Sequence, residues 1–460
     1  MPSRDTIVAV ATGDCQGAIG IVRVSGPSAY WLGQRLTGKN LRDRHASFAI
    51  FRSPNGEPLD EGLAFFFRGP HSFTGEDVLE LQGHGGRAAP RAVLQACLDF
   101  DCPDHLIRLA EPGEFTQRAF LNDRLDLVQA EAVADIISSR SERALKAAVR
   151  SLSGAFSKTV QTLQDQLIAC RVLVEAHLDF SDEEIDALEL EQSLSERMNG
   201  LLQGVTAVLQ SVESGLRLKE GCRVVLIGSP NAGKSSLMNA LSHEEVSIVS
   251  DQPGTTRDRL TEELSVQGVH FLLTDTAGLR SSQERVENLG MDRTWDSLKS
   301  ADLVLFVEDL QTLGADQALL EACIAAASKT AEVWRVLNKR DLVPEFSGPP
   351  VVGDADSTRF FCVSAQTGEG LGQLVQAIVD FAAMDLAESP GLFSARQRHR
   401  DAILQVLGQL TEAGRYMRLD ELELLAEHLR IAQEQLGQIL GRRTSDDLLG
   451  DIFSRFCIGK

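Results

Sequence analysis

The spacing of hydrophobic residues changes three times along the chain, and the first region combines short strands with one helix. Up to residue 121, short apolar runs separated by Gly and Pro predict strands at 6–12, 19–24, 63–67 and 78–81. Residues 91–100 have the spacing of a helix. The pattern predicts an α+β domain over residues 1–121.

Helical spacing dominates the next region and returns at the end of the chain. From Leu125 apolar residues recur three and four positions apart, and one predicted helix face carries Leu125, Val128, Ala132, Val133, Ile136 and Ile137. No Pro occurs between Pro112 and Pro230, so long helices are expected across 122–217. The same spacing resumes over 385–460. We expect one α-helical domain in two halves, 122–217 and 385–460; two separate helical domains are the alternative.

Between these halves, residues 218–384 alternate short apolar strands with helical stretches. The predicted strands lie at 224–227, 271–274, 303–307, 333–337 and 361–363. This alternation is typical of a mostly parallel sheet with helices on both faces. The chain is therefore predicted to be multidomain, with an α/β domain inserted into the α-helical one.

Composition narrows the class of protein. The chain has 460 residues, of which 43% are hydrophobic and 24% charged, the balance of a globular protein. No run of about 18 apolar residues occurs, and the N-terminus lacks a signal-peptide core, so we expect no membrane span and a cytoplasmic location. Eight scattered Cys form no CxxC pair, which argues against a zinc ribbon. A net charge of −21 excludes a general polyanion binder, and any RNA contact would need a local basic patch or a basic partner.

A phosphate-binding loop follows the first strand of the α/β domain. The pattern is Gly228-x-x-x-x-Gly233-Lys234-Ser235, and it precedes a helical stretch. Glycines let backbone N–H groups turn toward phosphates, and Lys234 supplies a charge to the β and γ phosphates. Ser235 is the expected Mg²⁺ ligand. The loop predicts nucleotide binding.

Four further segments, in chain order, identify the nucleotide as GTP. They are Thr255-Thr256, Asp275-Thr276-Ala277-Gly278, Asn338-Lys339-Arg340-Asp341 and Ser364-Ala365. Asp275 can hold Mg²⁺ through water, and the Gly278 N–H can meet the γ-phosphate. The Asp341 carboxylate can accept hydrogen bonds from the guanine N1–H and 2-amino groups, which adenine lacks. The segments therefore predict a Ras-like P-loop GTPase.

The residue that orients the attacking water is left open by these motifs. Many GTPases place a Gln directly after the Asp-x-x-Gly segment, but this chain has Leu279 there. Leu cannot hydrogen-bond water. Glu284 and Glu287 follow, and spacing alone does not choose between them.

Motifs outside the nucleotide site carry a resemblance to a known family. They are SFTGEDVLELQGHGG at 72–86, PGEFT at 112–116, RAFLN at 118–122, GTTRD at 254–258, DDLLG at 446–450 and FCIGK at 456–460. With these motifs the chain resembles the MnmE (TrmE) family of tRNA modification GTPases over nearly its full length.

The resemblance implies a function. Members of this family act on C5 of the wobble uridine of certain tRNAs, adding an aminomethyl or carboxymethylaminomethyl group. They work with a flavin-dependent partner, MnmG (GidA), in a heterotetramer. The one-carbon unit comes from a tetrahydrofolate, in its 5-formyl or 5,10-methylene form. The N-terminal domain resembles folate-binding modules and forms a homodimer.

The resemblance also assigns metal and catalytic residues. It makes Asn231 a K⁺ ligand, with the backbone around Ser250, Gln252 and Thr255 completing the shell. It implies that Ser235 and Thr256 are the Mg²⁺ ligands. It selects Glu287 as the water-orienting residue, acting with Lys234 and Asn231 in catalysis. The full set expected to contact GTP is Asn231, Ala232, Gly233, Lys234, Ser235, Ser236, Ser250, Thr255, Thr256, Asp275, Thr276, Ala277, Gly278, Asn338, Lys339, Asp341, Ser364 and Ala365.

Folate contacts are implied at Arg23, Glu80, Arg124 and Lys460. The family usually has Lys where this chain has Arg124, and Arg favours a bidentate contact with a carboxylate. For Cys457 and His84 the sequence allows either a functional or a structural role. Cys457 is either a nucleophile or a small residue of a packed tail, and His84 is either a turn residue or a functional one.

The alternative function is a regulatory GTPase of ribosome assembly or translation. Such proteins share the nucleotide motifs but lack the 73–86 stretch and the 457–460 ending. A folate-dependent transferase with a vestigial nucleotide site is disfavoured because the nucleotide motifs are intact.

Overall fold

The structure is a computed structural model. It describes residues 5–13, 17–103, 105–139, 141–179, 187–243, 261–266, 269–275, 298, 301–327, 331–346, 351–352, 359–387, 393–417, 421–441, 446–454, 456 and 459. The chain divides into two compact units. The first comprises Met1–Ser138, Ala148–Leu209 and Arg398–Lys460, and the second comprises Ser139–Ala147 and Gln210–Gln397.

The first unit begins with a six-stranded sheet of order β3-β4-β5-β2-β1-β6. Its strands are β1 (Thr6–Val10), β2 (Ile19–Ser25), β3 (Ser47–Arg52), β4 (Pro58–Phe67), β5 (Val78–His84) and β6 (Ile107–Leu109). All neighbours are antiparallel except β1 and β6. One face packs on helices α1 (Ala29–Thr37) and α2 (Ala88–Asp99), because alternate residues such as Val22, Val24, Leu79 and Leu81 point into that core.

Helices follow the sheet. They are α3 (Glu114–Leu121), α4 (Leu127–Ser138), α5 (Glu142–Leu152), α6 (Ala155–Asp179) and α7 (Ala187–Glu220). In α6 the buried residues Phe156, Val160, Leu163, Leu167 and Val174 recur at the predicted helical spacing.

The second unit is built on a seven-stranded sheet of order β12-β13-β11-β10-β7-β9-β8. Its strands are β7 (Cys222–Ile227), β8 (Thr261–Val266), β9 (Val269–Asp275), β10 (Leu303–Asp309), β11 (Glu332–Asn338), β12 (Val351–Val352) and β13 (Phe360–Cys362). Only the edge strands β8 and β12 run antiparallel to their neighbours among these strands.

Both faces of this sheet are buried, which explains why its inner strands are mostly apolar. Val224 and Leu226 pack with α8 (Lys234–His243) and α10 (Leu371–Ala387) on one face. Val225 and Ile227 pack with α9 (Gln317–Ala326) on the other. The predicted mostly parallel α/β fold is confirmed.

The chain ends with helices α11 (Gln397–Ala413), α12 (Leu422–Ile439) and α13 (Asp446–Phe453). α12 packs along α6, so segments from before and after the α/β region share the first unit. The predicted multidomain fold class is confirmed, whereas the boundaries at 121, 217 and 384 stay predictions. In the part of the chain that the structure describes, no helix is both long and apolar enough to cross a bilayer.

The predicted apolar face of α4 was wrong in one respect. The structure buries Glu131 and Asp135 and leaves Ile137 43% exposed. The buried carboxylate of Glu131 is paired, because Arg398 Nε lies 2.7 Å from Glu131 Oε1.

Candidate functional site

Strand ends of the second unit bring the predicted nucleotide residues together. β7, β9, β10 and β11 run parallel, so their carboxyl ends meet at one edge of the sheet. Ile227, Asp275, Asp309 and Asn338 are the last residues of these four strands. This edge is where open α/β sheets bind ligands.

The loop from Gly228 to Gly233 needs its glycines for close approaches. A Cβ on Gly228 would lie 2.0 Å from the backbone oxygen of Val307. Gly233 has φ +92°, and a Cβ there would lie 2.2 Å from Asn338 Nδ2. Asn231 adopts a left-handed conformation with φ 68°. Asn tolerates this region better than most side chains, so the loop bends sharply before the helix.

Lys234 is the first residue of α8 and is 6% exposed. Its Nζ donates to the carbonyl oxygens of Gly228 at 2.7 Å and Ser229 at 2.8 Å. These bonds hold the ammonium group at the loop. Ser235 and Ser236 follow in the exposed first turn of α8, where the positive end of the helix dipole favours phosphate.

Asn338 links the phosphate loop to the predicted guanine-binding segment. Its side chain is buried, Nδ2 donates to the Ala232 carbonyl at 3.0 Å, and Oδ1 accepts from the Ala365 N–H at 3.0 Å. Ser364 Oγ donates to Asp341 Oδ1 at 2.5 Å. Because Ser364 and Ala365 are neighbours in the chain, these two sets of hydrogen bonds join Ala232, Asn338, Asp341, Ser364 and Ala365 in one linked group.

Lys339 also has a fixed place at this edge. It has φ 66°, and its Nζ lies 2.7 Å from Asp309 Oδ2 at the end of the neighbouring strand β10. Burial acts to raise the pKa of Asp309, but hydrogen bonds from Lys339 and the Gln311 backbone outweigh it and hold the pKa below its usual value. Asp309 was not anticipated from the sequence.

Several predicted residues lie outside the described part of the chain. They are Ser250, Gln252, Thr255, Thr256, Thr276, Ala277, Gly278, Leu279, Glu284, Glu287, Cys457 and Lys460. For Asp275 the structure places the backbone at the end of β9.

The predicted folate residues of the N-terminal sheet form one pair. Arg23 and Glu80 face each other across β2 and β5, and Arg23 Nε donates to Glu80 Oε1 at 2.9 Å. The guanidinium lies over the rings of Phe73 and Phe115, at 5.6 and 5.9 Å from their centres. Its Nη1 lies 3.5 Å from the Gly459 carbonyl oxygen, so the end of the chain reaches this pair.

Arg124 sits beside the loop that carries Phe73. A Cβ on Gly75, which has φ +80°, would lie 3.2 Å from Arg124 Cγ. Arg124 is exposed. Arg23 contacts Phe73 and Arg124 contacts Gly75, so both side chains border the 72–77 loop. The structure brings these three predicted folate residues to one loop.

An ion network next to this loop was missed by the sequence analysis. Arg118 is buried and bonds Asp5, Glu76 and Glu114 at 2.8, 3.1 and 2.9 Å. Arg108 bonds Asp5 and Glu114, both at 2.6 Å. Burial acts to raise the pKa of Glu114, but the bonds from Arg108, from the Glu111 backbone and from Arg118 keep it low. The motif residues Glu76 and Glu114 therefore have a structural role.

His84 also has a partner that the sequence did not reveal. Its Nδ1 lies 2.7 Å from Asp60 Oδ1, and its backbone N–H donates to Asp60 Oδ2 at 2.8 Å. A Cβ on Gly83 would lie 2.2 Å from the same Asp60 oxygen, so Gly83 allows this contact. The bond to Asp60 raises the pKa of His84.

The doubly covered parallel sheet, the phosphate loop and the linked group that contains Asn338, Asp341 and Ser364 define a P-loop protein of the GTPase class. Comparison with known proteins then gives the family. The family model for the MnmE helical domain matches residues 127–457, and the model for the GTP-binding protein TrmE N-terminus matches residues 6–124. The chain belongs to the MnmE family of tRNA modification GTPases.

Relatives named tRNA modification GTPase MnmE match end to end. The protein of Bordetella parapertussis is 47% identical over 458 residues, covering 99% of both chains. That of Acidovorax sp. strain JS42 is 45% identical over 470 residues, again covering 99% of both. That of Nitrosococcus oceani is 47% identical over 462 residues, covering 99% of this chain and 97% of its own.

Proposed function

We propose that the chain is a potassium-dependent GTPase that, with a flavin-dependent partner, modifies C5 of the wobble uridine of certain tRNAs using a tetrahydrofolate one-carbon unit. The observation that carries the GTPase part is the linked group of Ala232, Asn338, Asp341, Ser364 and Ala365 beside Lys234. The family favours this function over a regulatory GTPase of ribosome assembly or translation.

GTP binding would use Lys234 of the phosphate loop at one end of the site and Asp341 of the linked group at the other. Lys234 exchanges its bonds to loop carbonyls for the β and γ phosphates, while loop N–H groups and the start of α8 stabilise negative charge. Asp341, oriented by Ser364, accepts from the guanine edge. Ser235 and Thr256 would hold Mg²⁺, and the exposed position of Ser235 in the first turn of α8 fits that role.

Potassium is proposed to stabilise transition-state charge beside the phosphates. The support is Asn231, a side chain exposed on the phosphate loop, together with the absence of a Gln at Leu279 in the sequence. We expect GTP hydrolysis at fixed ionic strength to be faster in K⁺ than in Na⁺. Equal turnover in the two salts would contradict a cation requirement.

Water orientation is proposed for Glu287. The variant Glu287→Ala should lower turnover strongly and leave GTP affinity nearly intact, because the residue would act on water and not on the nucleotide. The neighbouring Glu284→Ala is the matched control and should keep turnover. Loss of GTP affinity in Glu287→Ala would make that residue structural. If Glu284→Ala lowers turnover and Glu287→Ala does not, the water-orienting role belongs to Glu284.

Folate binding is proposed around Arg23, Glu80 and Arg124, with Lys460. The support is the Arg23–Glu80 pair, which offers both a donor and an acceptor, with the Arg23 guanidinium beside the Phe73 and Phe115 rings. Titration of the chain with a reduced folate should show binding that Arg23→Met weakens. Arg52→Met is the control, because Arg52 is an exposed cation of the same sheet that bonds the Gly56 carbonyl. A parent chain with no affinity for reduced folates would contradict the proposal.

A homodimer through the N-terminal domain is supported by an apolar surface on β3 and β4. Phe48 is 57% exposed there, and Ile50 and Leu63 are also exposed. Contiguous exposed apolar residues of this kind mark interaction surfaces. Light scattering should give twice the single-chain mass of 50.1 kDa, and Phe48→Glu should shift it toward 50.1 kDa. A parent chain of single mass would contradict the dimer.

The remaining partners are tRNA and the MnmG (GidA) flavoprotein, in a heterotetramer, with a cytoplasmic location. With a net charge of −21, the chain is proposed to reach tRNA together with this partner and not as an autonomous binder. Co-purification of the two chains should retain tRNA that the chain alone does not. Equal retention by the isolated chain would contradict a partner-dependent tRNA site.

A further inference from the structure

A carboxylate that no nucleotide-site motif contains sits at the end of β10. Asp309 and Asn338 are register partners at the ends of the parallel strands β10 and β11. The side chain of Lys339, one residue further on, returns to Asp309, with Nζ 2.7 Å from Oδ2. The second oxygen of Asp309 accepts the Gln311 N–H at 2.9 Å and starts the 3-10 turn Leu310–Thr312.

Both members of this ion pair are largely shielded from water. The side chain of Asp309 is 19% exposed and that of Lys339 is 29% exposed. A pair this shielded is screened less by salt than a surface pair, and it restricts the rotamers of a four-carbon stem that is otherwise mobile. The backbone at Lys339 is left-handed, with φ 66°. The stem is therefore held at the backbone, where it begins, as well as at the ammonium group, where it ends.

We propose that Asp309 is a positioning residue for guanine-nucleotide binding, which it serves by holding the Lys339 stem in place; the inference rests on the proposed function. With its ammonium bonded to Asp309, Lys339 presents methylene groups next to Asn338, in the segment where Asp341 is expected to read the edge of guanine. An apolar stem with its charge held at one end suits the flat face of a base. Release from Asp309 would leave the stem disordered and its ammonium free to move toward the phosphates.

The chemistry of the pair predicts how a variant behaves. Asp309→Asn keeps an oxygen that can accept the Gln311 N–H, so the turn and the fold are retained. It removes the charge that holds Lys339. Preorganisation lost at one long side chain costs about three- to tenfold in affinity. The Kd for GDP and the KM for GTP should rise by that factor, while kcat stays within about twofold because no reacting group is touched.

A double-mutant cycle separates positioning from a general effect of charge. The measurement is the Kd of a fluorescent GDP analogue for the parent, Asp309→Asn, Lys339→Met and the double variant, with the melting temperature of each. Met keeps an apolar stem without the ammonium, so Asp309→Asn should have no further effect in that background. Asp380→Asn is the charge-matched control, because Asp380 is an exposed carboxylate of α10 in the same unit.

The outcomes are distinct. The expected result is a raised Kd for Asp309→Asn alone, no additional rise in the Lys339→Met background, and parental affinity for Asp380→Asn. A parental Kd for Asp309→Asn, or a rise that persists undiminished beside Met, overturns the inference and leaves the proposed function standing. A parent chain that binds no guanine nucleotide overturns the proposed function itself.

Discussion

The buried ion pair between Glu131 and Arg398 makes the stability of the helical region depend on one carboxylate. Glu131 lies on α4 and is 2% exposed. Its two carboxylate oxygens accept hydrogen bonds from Arg398 Nε at 2.7 Å and Arg398 Nη2 at 2.8 Å. His399 Nε2 lies 3.1 Å away. Glu131→Gln removes the charge and keeps the size of the side chain, so the perturbation is electrostatic.

The free energy lost in Glu131→Gln depends on how many hydrogen-bond acceptors Arg398 keeps. Removing one partner of a buried ion pair costs about 3–5 kcal/mol in other proteins. Arg398 keeps two acceptors here, the carbonyl oxygens of Gln438 and Ile439 at 3.3 and 3.1 Å, and its side chain is 20% exposed. We therefore expect the lower end of that range, about 3 kcal/mol, for local opening of the helices that meet at this pair.

Hydrogen exchange read by mass spectrometry is the assay, because a multidomain chain has no single free energy of unfolding. Peptides from α11 and α12 should exchange about 100-fold faster in Glu131→Gln than in the parent, as 1.4 kcal/mol corresponds to tenfold. Glu427→Gln is the matched control. It makes the same chemical change on α12, at an exposed carboxylate paired with Arg430, and should leave exchange unchanged.

Equal exchange in Glu131→Gln and Glu427→Gln would refute the reasoning. It would mean that the burial cost of the Glu131 charge cancels its attraction to Arg398, as happens in some buried pairs. Faster exchange confined to the N-terminal sheet would also refute it, since Glu131 acts on helices.

Three other outcomes follow from the described contacts. Burial acts to raise the pKa of Glu131, but His399 and Arg398 hold it well below its usual value of 4.5. The stability that this group contributes is therefore complete above 4.5 and declines as the pH falls from there toward the folded pKa. Opening of α11 measured by hydrogen exchange should accordingly be more favourable at pH 3 than at pH 6. Asn338→Asp cannot donate to the Ala232 carbonyl, so hydrogen exchange of β11 should show that local opening costs about 1–3 kcal/mol less than in the parent. Gly228→Ala should abolish GDP binding in a fluorescence titration, because its Cβ would lie 2.0 Å from Val307 O, whereas Gly372→Ala, whose Cβ would meet nothing within 4 Å, should bind normally.

The meeting of the described nucleotide-motif residues at one edge of the sheet was predictable because each motif is local in sequence. A strand, a glycine-containing turn and a helix start occur together at Lys234, and Asn338 and Asp341 follow directly on another apolar strand. The parallel arrangement then requires these strand ends to meet. Asp309 escaped prediction because its role depends on the register of β10 against β11, which no spacing along the chain encodes.

In the helical region the decisive contacts join residues that are far apart in the sequence, so they could not be predicted. The spacing of apolar residues in α4 made no prediction for Glu131, and a lone carboxylate in a helix is usually exposed. Its partner lies 267 residues away, and only the fold brings the two together. The strand β3 was missed for another reason, because Phe48 and Ile50 on its exposed side are as apolar as Ala49 and Phe51 on its buried side, so the alternation of a half-buried strand is absent.

The proposed tRNA modification can be measured as the nucleoside content of tRNA from cells that lack this chain. Uridines carrying an aminomethyl or carboxymethylaminomethyl group at C5 should be lost from the wobble position. They should return when the parent chain is restored and stay absent with Gly228→Ala, while Gly372→Ala restores them. Unchanged wobble uridines in cells without the chain would contradict the proposed function.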